Sequence, residues 1–338
     1  MIMKKTSSIH TLAGPDPEYF LRSHLDCDQS FKFSFGSSLR IGSCELVDKE
    51  TGQVYTGCTI FYLNKSNKTA VSIQGGSAST YNTGLKMLRG DATVDVIVFT
   101  GGSVLGLPTV VTGVNQYLMK EKIPPGERVH ASNIPRVTGA VIYDYIYRKD
   151  NLFPTQECGY LAVKDSVPNM IVSGQHGAGS NSHVGKIIDI KYAQKGGQGV
   201  SFTELPNGIK IFVCVVLNSV GAIYNNGHII RGNFDSESQQ FVNSDKLMDS
   251  DYVVDGNTTL TFICVNQILT GGNLTQLANT AHINMARSIY PFSTLGDGDT
   301  LFLTSTMERT ADLSYDDLQV FYHEVNAAVE KAILSQFV

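Results

Sequence analysis

The sequence predicts a layered domain of mixed strands and helices, α+β or α/β. Three observations lead there. Short β-branched, apolar runs bounded by polar turns recur along the chain. Between them lie longer stretches with apolar residues near a 3.6-residue spacing. The chain is long enough for one large domain, with 338 residues, 42% hydrophobic and 17% charged, so it can bury a sizeable core.

Taken in order, residues 1–35 have mixed polarity and no sustained period, and are expected to form an irregular N-terminal extension. Strands are expected at 39–46, 57–63 and 69–74. The run from Val94 to Phe99 reads as a buried strand ended by Thr100-Gly101-Gly102-Ser103. The following stretch, 104–118, reads as a helix with Leu107, Val111, Val114 and Leu118 near helical spacing, and Pro108 in its first turns. A buried segment is expected at 137–146, a glycine-rich turn at 174–179, a strand at 210–218 and a strand or hairpin at 221–230. Residues 191–199 and 231–250 read as polar loops. A strand at 259–266, a helix at 274–288, a short strand at 300–304 and a long helix at 315–334 complete the pass. That last helix has Asp316 and Asp317 at its positive end and a stripe of Phe321, Val325, Val329 and Ile333.

Charge excludes some roles. The net charge is −5 and no block of lysine and arginine occurs, which argues against nucleic acid as a partner. No apolar stretch is long enough to span a membrane and no export signal is recognised. A cytoplasmic chain without membrane partners is the expectation. The six cysteines are widely spaced and form no CxxC pair, so neither a disulfide framework nor a metal knuckle is expected. His176 and His183 flank a glycine segment, but no cysteine or carboxylate completes a metal set, and both read as structural histidines. Neither metal nor cofactor is expected.

The chemistry concentrates on Thr258, at the mouth of an apolar strand. A threonine hydroxyl is a weak nucleophile and needs a base. The residue's own α-amino group, with a reference pKa of about 7.7–8.0, can serve once the Asn257–Thr258 bond is cut. Attack of the hydroxyl on the Asn257 carbonyl would make that cut through an ester. Asn218, at the end of another apolar strand, could donate to an oxyanion. Lys186 could lower a neighbouring pKa or orient the nucleophile. Asp297 and Asp299, if extended, present both carboxylates to one side and could hold the new amino terminus or order Lys186. Read singly, each is also an ordinary turn or surface residue.

In combination these segments resemble the self-processing aminopeptidases of peptidase family S58. That family includes L-aminopeptidase/D-esterase, β-peptidyl aminopeptidases and the endo-type nylon-oligomer hydrolase. The resemblance runs from about Arg40 to Phe337. It is carried by 99–107, with its Thr100-Gly101-Gly102-Ser103 core; by 134–144; by 177–186; by 216–221; by Asn257-Thr258-Thr259; and by Asp297-Gly298-Asp299. It implies a four-layer αββα sandwich shared with the ornithine acetyltransferases. It implies a single domain over 36–338, cut into residues 1–257 and 258–338 that stay together, and a homo-oligomer. It casts Thr258 as nucleophile, Asn218 as oxyanion donor, Lys186 as supporting lysine and Asp297 with Asp299 as the acidic pair. Backbone N–H groups of Gly101 or Gly102 are further oxyanion candidates, and Tyr143 or Tyr160 an assisting hydroxyl. The expected activity is hydrolysis of short peptides or small amides through an acyl-enzyme. Acyl transfer, or an unprocessed binding protein, is the alternative. Departures at 75–80 and 145–158 are expected to shape the pocket and its specificity.

Overall fold

A computed structural model describes residues 17–27, 30–243 and 256–337. Two sheets stack face to face, with helices on both outer faces. In the first sheet the strands run in the order Tyr19–Ser23, Leu39–Asp48, Val54–Leu63, Val96–Thr100, Val137–Val141 and Thr80–Tyr81. The second has the order Gly197–Glu204, Lys210–Asn218, Thr258–Gln267, Thr300–Arg309 and Lys68–Ile73. Thr258–Gln267 is the central strand of the second sheet. It pairs antiparallel with Lys210–Asn218 and parallel with Thr300–Arg309.

Strand periodicity builds the layers. Along Lys210–Asn218, Phe212, Cys214 and Val216 point into the space between the sheets, while Ile211, Val213, Val215 and Leu217 point to the outer helices. Phe61, Phe99, Phe262 and Phe302 fill the central layer, with the Phe61 and Phe262 rings stacked at 4.2 Å between centroids. Both faces of these strands are therefore buried, which is why they read as continuous apolar runs. Helices Ser103–Lys122 and Gln156–Lys164 cover the first sheet. Helices Gly271–Asn284 and Tyr315–Leu334 cover the second. The expected αββα sandwich is present. Among the described residues no helix is long and apolar enough to cross a membrane.

Several expectations need correction. The segment 1–35 is not irregular where it is described: Tyr19–Ser23 adds a strand to the edge of Leu39–Asp48, where Tyr19 and Leu21 pack on the outer core. The stretch 191–199 is not a loop. Gln194–Lys195 and Gly197–Glu204 are strands, and the polar appearance has a packing cause. A Cβ on Gly199 would lie 2.0 Å from the Ala332 carbonyl oxygen, so only glycine lets the last helix sit this close. Gln198 is fully buried and accepts from the Thr59 hydroxyl at 2.8 Å. Within 231–250, Phe234–Asp235 and Gln240–Phe241 form a small hairpin, and 244–255 lie outside the described residues. The helix Gln156–Lys164, capped by Thr155, was not anticipated. None of the six cysteines is in a disulfide, and Cys27 alone is not buried.

Candidate active site

Three strand ends converge at Thr258. Asn218 is its direct cross-strand partner on one side. On the other, Asn257 bridges in parallel to Asp297, in the turn that leads into Thr300–Arg309. The chain reaches this point through Gly256, at φ +86°, where a Cβ would lie 2.5 Å from the Tyr143 ring. Left-handed backbone and crowding together require glycine there.

The bond before Thr258 is held as a reaction would need it. The Thr258 hydroxyl donates to the Asn257 carbonyl oxygen of the same peptide bond. The Gly298 N–H donates to that oxygen at 2.7 Å. A Cβ at Gly298 would sit 2.6 Å from the Thr258 hydroxyl oxygen, so the closeness depends on glycine. Gly298 is a residue of this site that the sequence reading missed. Its position between two singled-out aspartates was the available signal.

Lys186 is fully buried. Its Nζ donates to the Asn218 carbonyl oxygen at 2.7 Å and to Asn218 Oδ1 at 3.2 Å. Burial pulls its pKa down to about 7, against the opposing charges of Asp297 and Asp299. Both carboxylates are buried as well. Burial and the neighbouring Asp297 push Asp299 up to about 7, although its Oδ1 accepts from Thr259 N–H at 2.6 Å and its Oδ2 from Ser293 N–H at 3.0 Å. Burial likewise raises Asp297, whose Oδ2 accepts from the Thr294 hydroxyl at 2.6 Å. The three groups form one buried, electrostatically linked cluster, in which Lys186 and Asp299 change charge near neutrality.

In the uncut chain the Asn218 amide faces two neighbouring carbonyls. Its Nδ2 donates to the Tyr143 carbonyl at 3.0 Å and more weakly to the Gly256 carbonyl at 3.4 Å. The Asn257 oxygen thus accepts from the Thr258 hydroxyl and the Gly298 N–H, with Asn218 one peptide away. For Gly101 and Gly102 the structure corrects the expectation: the Gly101 N–H donates to the Gly57 carbonyl at 2.9 Å and the Gly102 N–H to Asp144 Oδ1 at 3.0 Å. Their N–H groups brace the turn instead of facing the nucleophile. Tyr143 lines the cavity with Thr258, whereas Tyr160 lies on an outer helix against Tyr117 and Lys120. Of the two tyrosines, only Tyr143 is at the site.

The cavity over Thr258 holds ≈ 210 Å³ and is lined by Ser77, Ser79, Ser103 and Tyr143 among others. Among the described residues, no carboxylate or ammonium belongs to its lining. Ser103 adopts φ +53°, a strained value for a residue other than glycine, at the start of a 20-residue helix. Ser77 and Ser79 come from the departing segment 75–80, so that segment does shape the pocket. In the other departing segment, Arg148 is instead buried between Asp144 at 3.3 Å and Asp150 at 2.7 Å. Larger cavities of ≈ 340 and ≈ 500 Å³ lie against Thr270 and Lys195, and neither touches the Thr258 cluster, so size does not choose the site.

The sequence expectation for His176 also changes. Cys27 and Glu45, remote in sequence, both lie beside its imidazole. His183 is separate: it lies against Tyr147 with ring centroids 3.9 Å apart, and burial pushes its pKa down to about 4.

Comparison with known proteins gives the family and the fold. The model of peptidase family S58 matches residues 37–338. The 6-aminohexanoate-oligomer endohydrolase of Paenarthrobacter ureafaciens is 31% identical over 261 residues, covering 75% of this chain and 70% of that protein. Among solved structures, a Burkholderia sp. beta-aminopeptidase superposes with a TM-score of 0.67 at 16% identity, covering 90% of this chain and 87% of the other. The L-aminopeptidase D-Ala-esterase/amidase of Ochrobactrum anthropi gives 0.67 at 15% identity, covering 90% and 85%. The structural likenesses establish the fold, and the family match establishes the lineage. The chain belongs to peptidase family S58, self-processing hydrolases that act through an N-terminal nucleophile.

Proposed function

We propose that the chain cuts its own Asn257–Thr258 bond and then uses the freed Thr258 to hydrolyse uncharged amide bonds within short oligomers. The observation that carries this reading is the Asn257 carbonyl, flanked by the Thr258 hydroxyl and the Gly298 N–H at 2.7 Å. The Thr258 Oγ1 attacks the Asn257 carbonyl carbon, and negative charge develops on an oxygen that already accepts from Gly298. The C–N bond breaks, its nitrogen takes the proton from the hydroxyl, and an ester joins Asn257 to Thr258. Water releases Asn257 as a carboxylate and leaves Thr258 with a free amine. The two parts stay together because Thr258–Gln267 is hydrogen-bonded between two other strands. In turnover the Thr258 amine takes the hydroxyl proton and Oγ1 adds to the substrate carbonyl. The substrate C–N bond breaks, its nitrogen leaves as an amine carrying that proton, and water hydrolyses the ester left on Oγ1 to free the acid.

Among the described residues the lining is neutral and serine-rich, which suits an uncharged amide. The name of the Paenarthrobacter relative, an oligomer endohydrolase, points the same way. Intact mass under denaturing conditions, with N-terminal sequencing, tests the cut. A fragment spanning 258–338 is expected, and an unbroken 338-residue chain after prolonged incubation would overturn it. The same preparation should hydrolyse N-acetylated and free-amine oligoamides at comparable rates. A preference of more than about 100-fold for the free amine would overturn the substrate reading.

Gly298→Ala should slow the cut by about 100-fold, because the added methyl displaces the threonine hydroxyl and roughly 1 Å of misplacement costs that much. The time course of fragment appearance measures it. Conversion at the wild-type rate would show that this close approach is not used.

A further inference from the structure

Away from Thr258, three chain segments bring a thiol, an imidazole and a carboxylate to one point. Cys27 follows the edge strand Tyr19–Ser23, Glu45 lies within Leu39–Asp48, and His176 precedes the turn Gly177–Gly179. Cys27 Sγ is 3.9 Å from His176 Nδ1, and His176 Nδ1 is 3.4 Å from Glu45 Oε1. All three donor atoms lie within 4.8 Å of one another.

We propose that Cys27, Glu45 and His176 form a zinc-binding site with one open position. Zinc bonds of about 2.3 Å to sulfur and about 2.0–2.2 Å to nitrogen and oxygen, set tetrahedrally, put donor atoms about 3.3–3.6 Å apart. The two measured separations are near those values, so closure needs only small side-chain movements. The donor set of thiolate, imidazole and carboxylate suits a borderline metal and disfavours magnesium or calcium, which take oxygen ligands.

The carboxylate is already oriented. Glu45 is 2% exposed, and Arg22 donates to its Oε2 through Nη2 at 2.6 Å and Nε at 2.9 Å. Gly177 N–H donates to Oε1 at 2.8 Å, leaving that oxygen a second lone pair for a metal. Such outer contacts fix ligand geometry in metal sites. Cys27 and His176 are partly exposed, so the ion has a way in and water can take the fourth position. Binding replaces the thiol proton, which passes to solvent, by a zinc–sulfur bond. The bound ion would tie the N-terminal edge strand to the glycine turn that leads toward Lys186.

The test uses the full chain without an affinity tag, dialysed against chelator and then titrated with Zn²⁺ or Co²⁺ alone. About one equivalent should bind per chain. The Co²⁺ form should show a near-ultraviolet sulfur-to-cobalt charge-transfer band that Cys27→Ser removes. His176→Gln should weaken zinc by at least about tenfold. Zinc should also slow alkylation of Cys27 in the wild-type chain by at least about tenfold, a readout available even if a variant folds poorly, because the other five cysteines are buried. No stoichiometric uptake, a cobalt–sulfur band that survives Cys27→Ser, or an alkylation rate indifferent to zinc would each overturn the site.

Discussion

Thr258→Ala is expected to give one uncut chain with no amide hydrolysis above background. Both reactions pass through the same oxygen. The cut requires Oγ1, which already donates to the Asn257 carbonyl, and alanine leaves no atom that can form the ester. Turnover requires the same hydroxyl together with an α-amine that exists only after the cut. The fold should tolerate the change: Thr258 opens a strand held by ladder hydrogen bonds on both sides, and alanine removes only a hydroxyl and a methyl. Thr258→Ser keeps the oxygen and should keep both activities, which separates loss of chemistry from loss of structure. Intact mass and hydrolysis of an oligoamide are the measurements. A fragment beginning at residue 258 in the alanine variant would assign the cut to another group.

Much of this site could be read before any coordinates, for a physical reason. Strands buried on both faces are continuous apolar runs, and their ends are marked by the first polar residues, so Asn218 and Thr258 stood out. Their direct opposition follows from the antiparallel register, which a sequence does not print. The meeting of Asp297 and Asp299 with Thr258 was less accessible. It depends on parallel pairing across a crossover that contains the helix Gly271–Asn284, and nothing local encodes which strand comes to lie alongside. Gly298 was missed because its role is carried by a backbone N–H, and Gly101 and Gly102 were misread for the same reason. Where a main-chain donor points depends on neighbours such as Asp144 that only the fold supplies. The group at Cys27, Glu45 and His176 spans three elements, so no spacing rule could have found it.

The largest effect after loss of the nucleophile is expected from Lys186→Met, which should slow the cut by about 10²–10⁴-fold. In the uncut chain Thr258 has no free amine, so the hydroxyl proton needs another carrier on its way to the nitrogen of the breaking bond. Lys186 is the buried amine of this cluster, bound at 2.7 Å to the carbonyl of the residue directly opposite Thr258. Burial lowers its pKa to about 7, so its neutral form is present near neutrality, as a proton acceptor must be. That form increases as pH rises through about 7, and the wild-type rate of cutting should rise over the same interval. Asp299 titrates in the same range, so the inflection belongs to the cluster and not to one group. Methionine removes the amine and should flatten this rise along with lowering the rate. The fold has reason to accept it. With a folded pKa below the 10.5 of a free lysine, the charged form of Lys186 costs stability, fully so below pH 7 and less toward pH 10.5. Methionine carries no such cost, so the variant should unfold at no lower temperature than wild type at pH 6. A rate within about tenfold of wild type, or an unchanged pH profile in a folded variant, would remove Lys186 from the proton path.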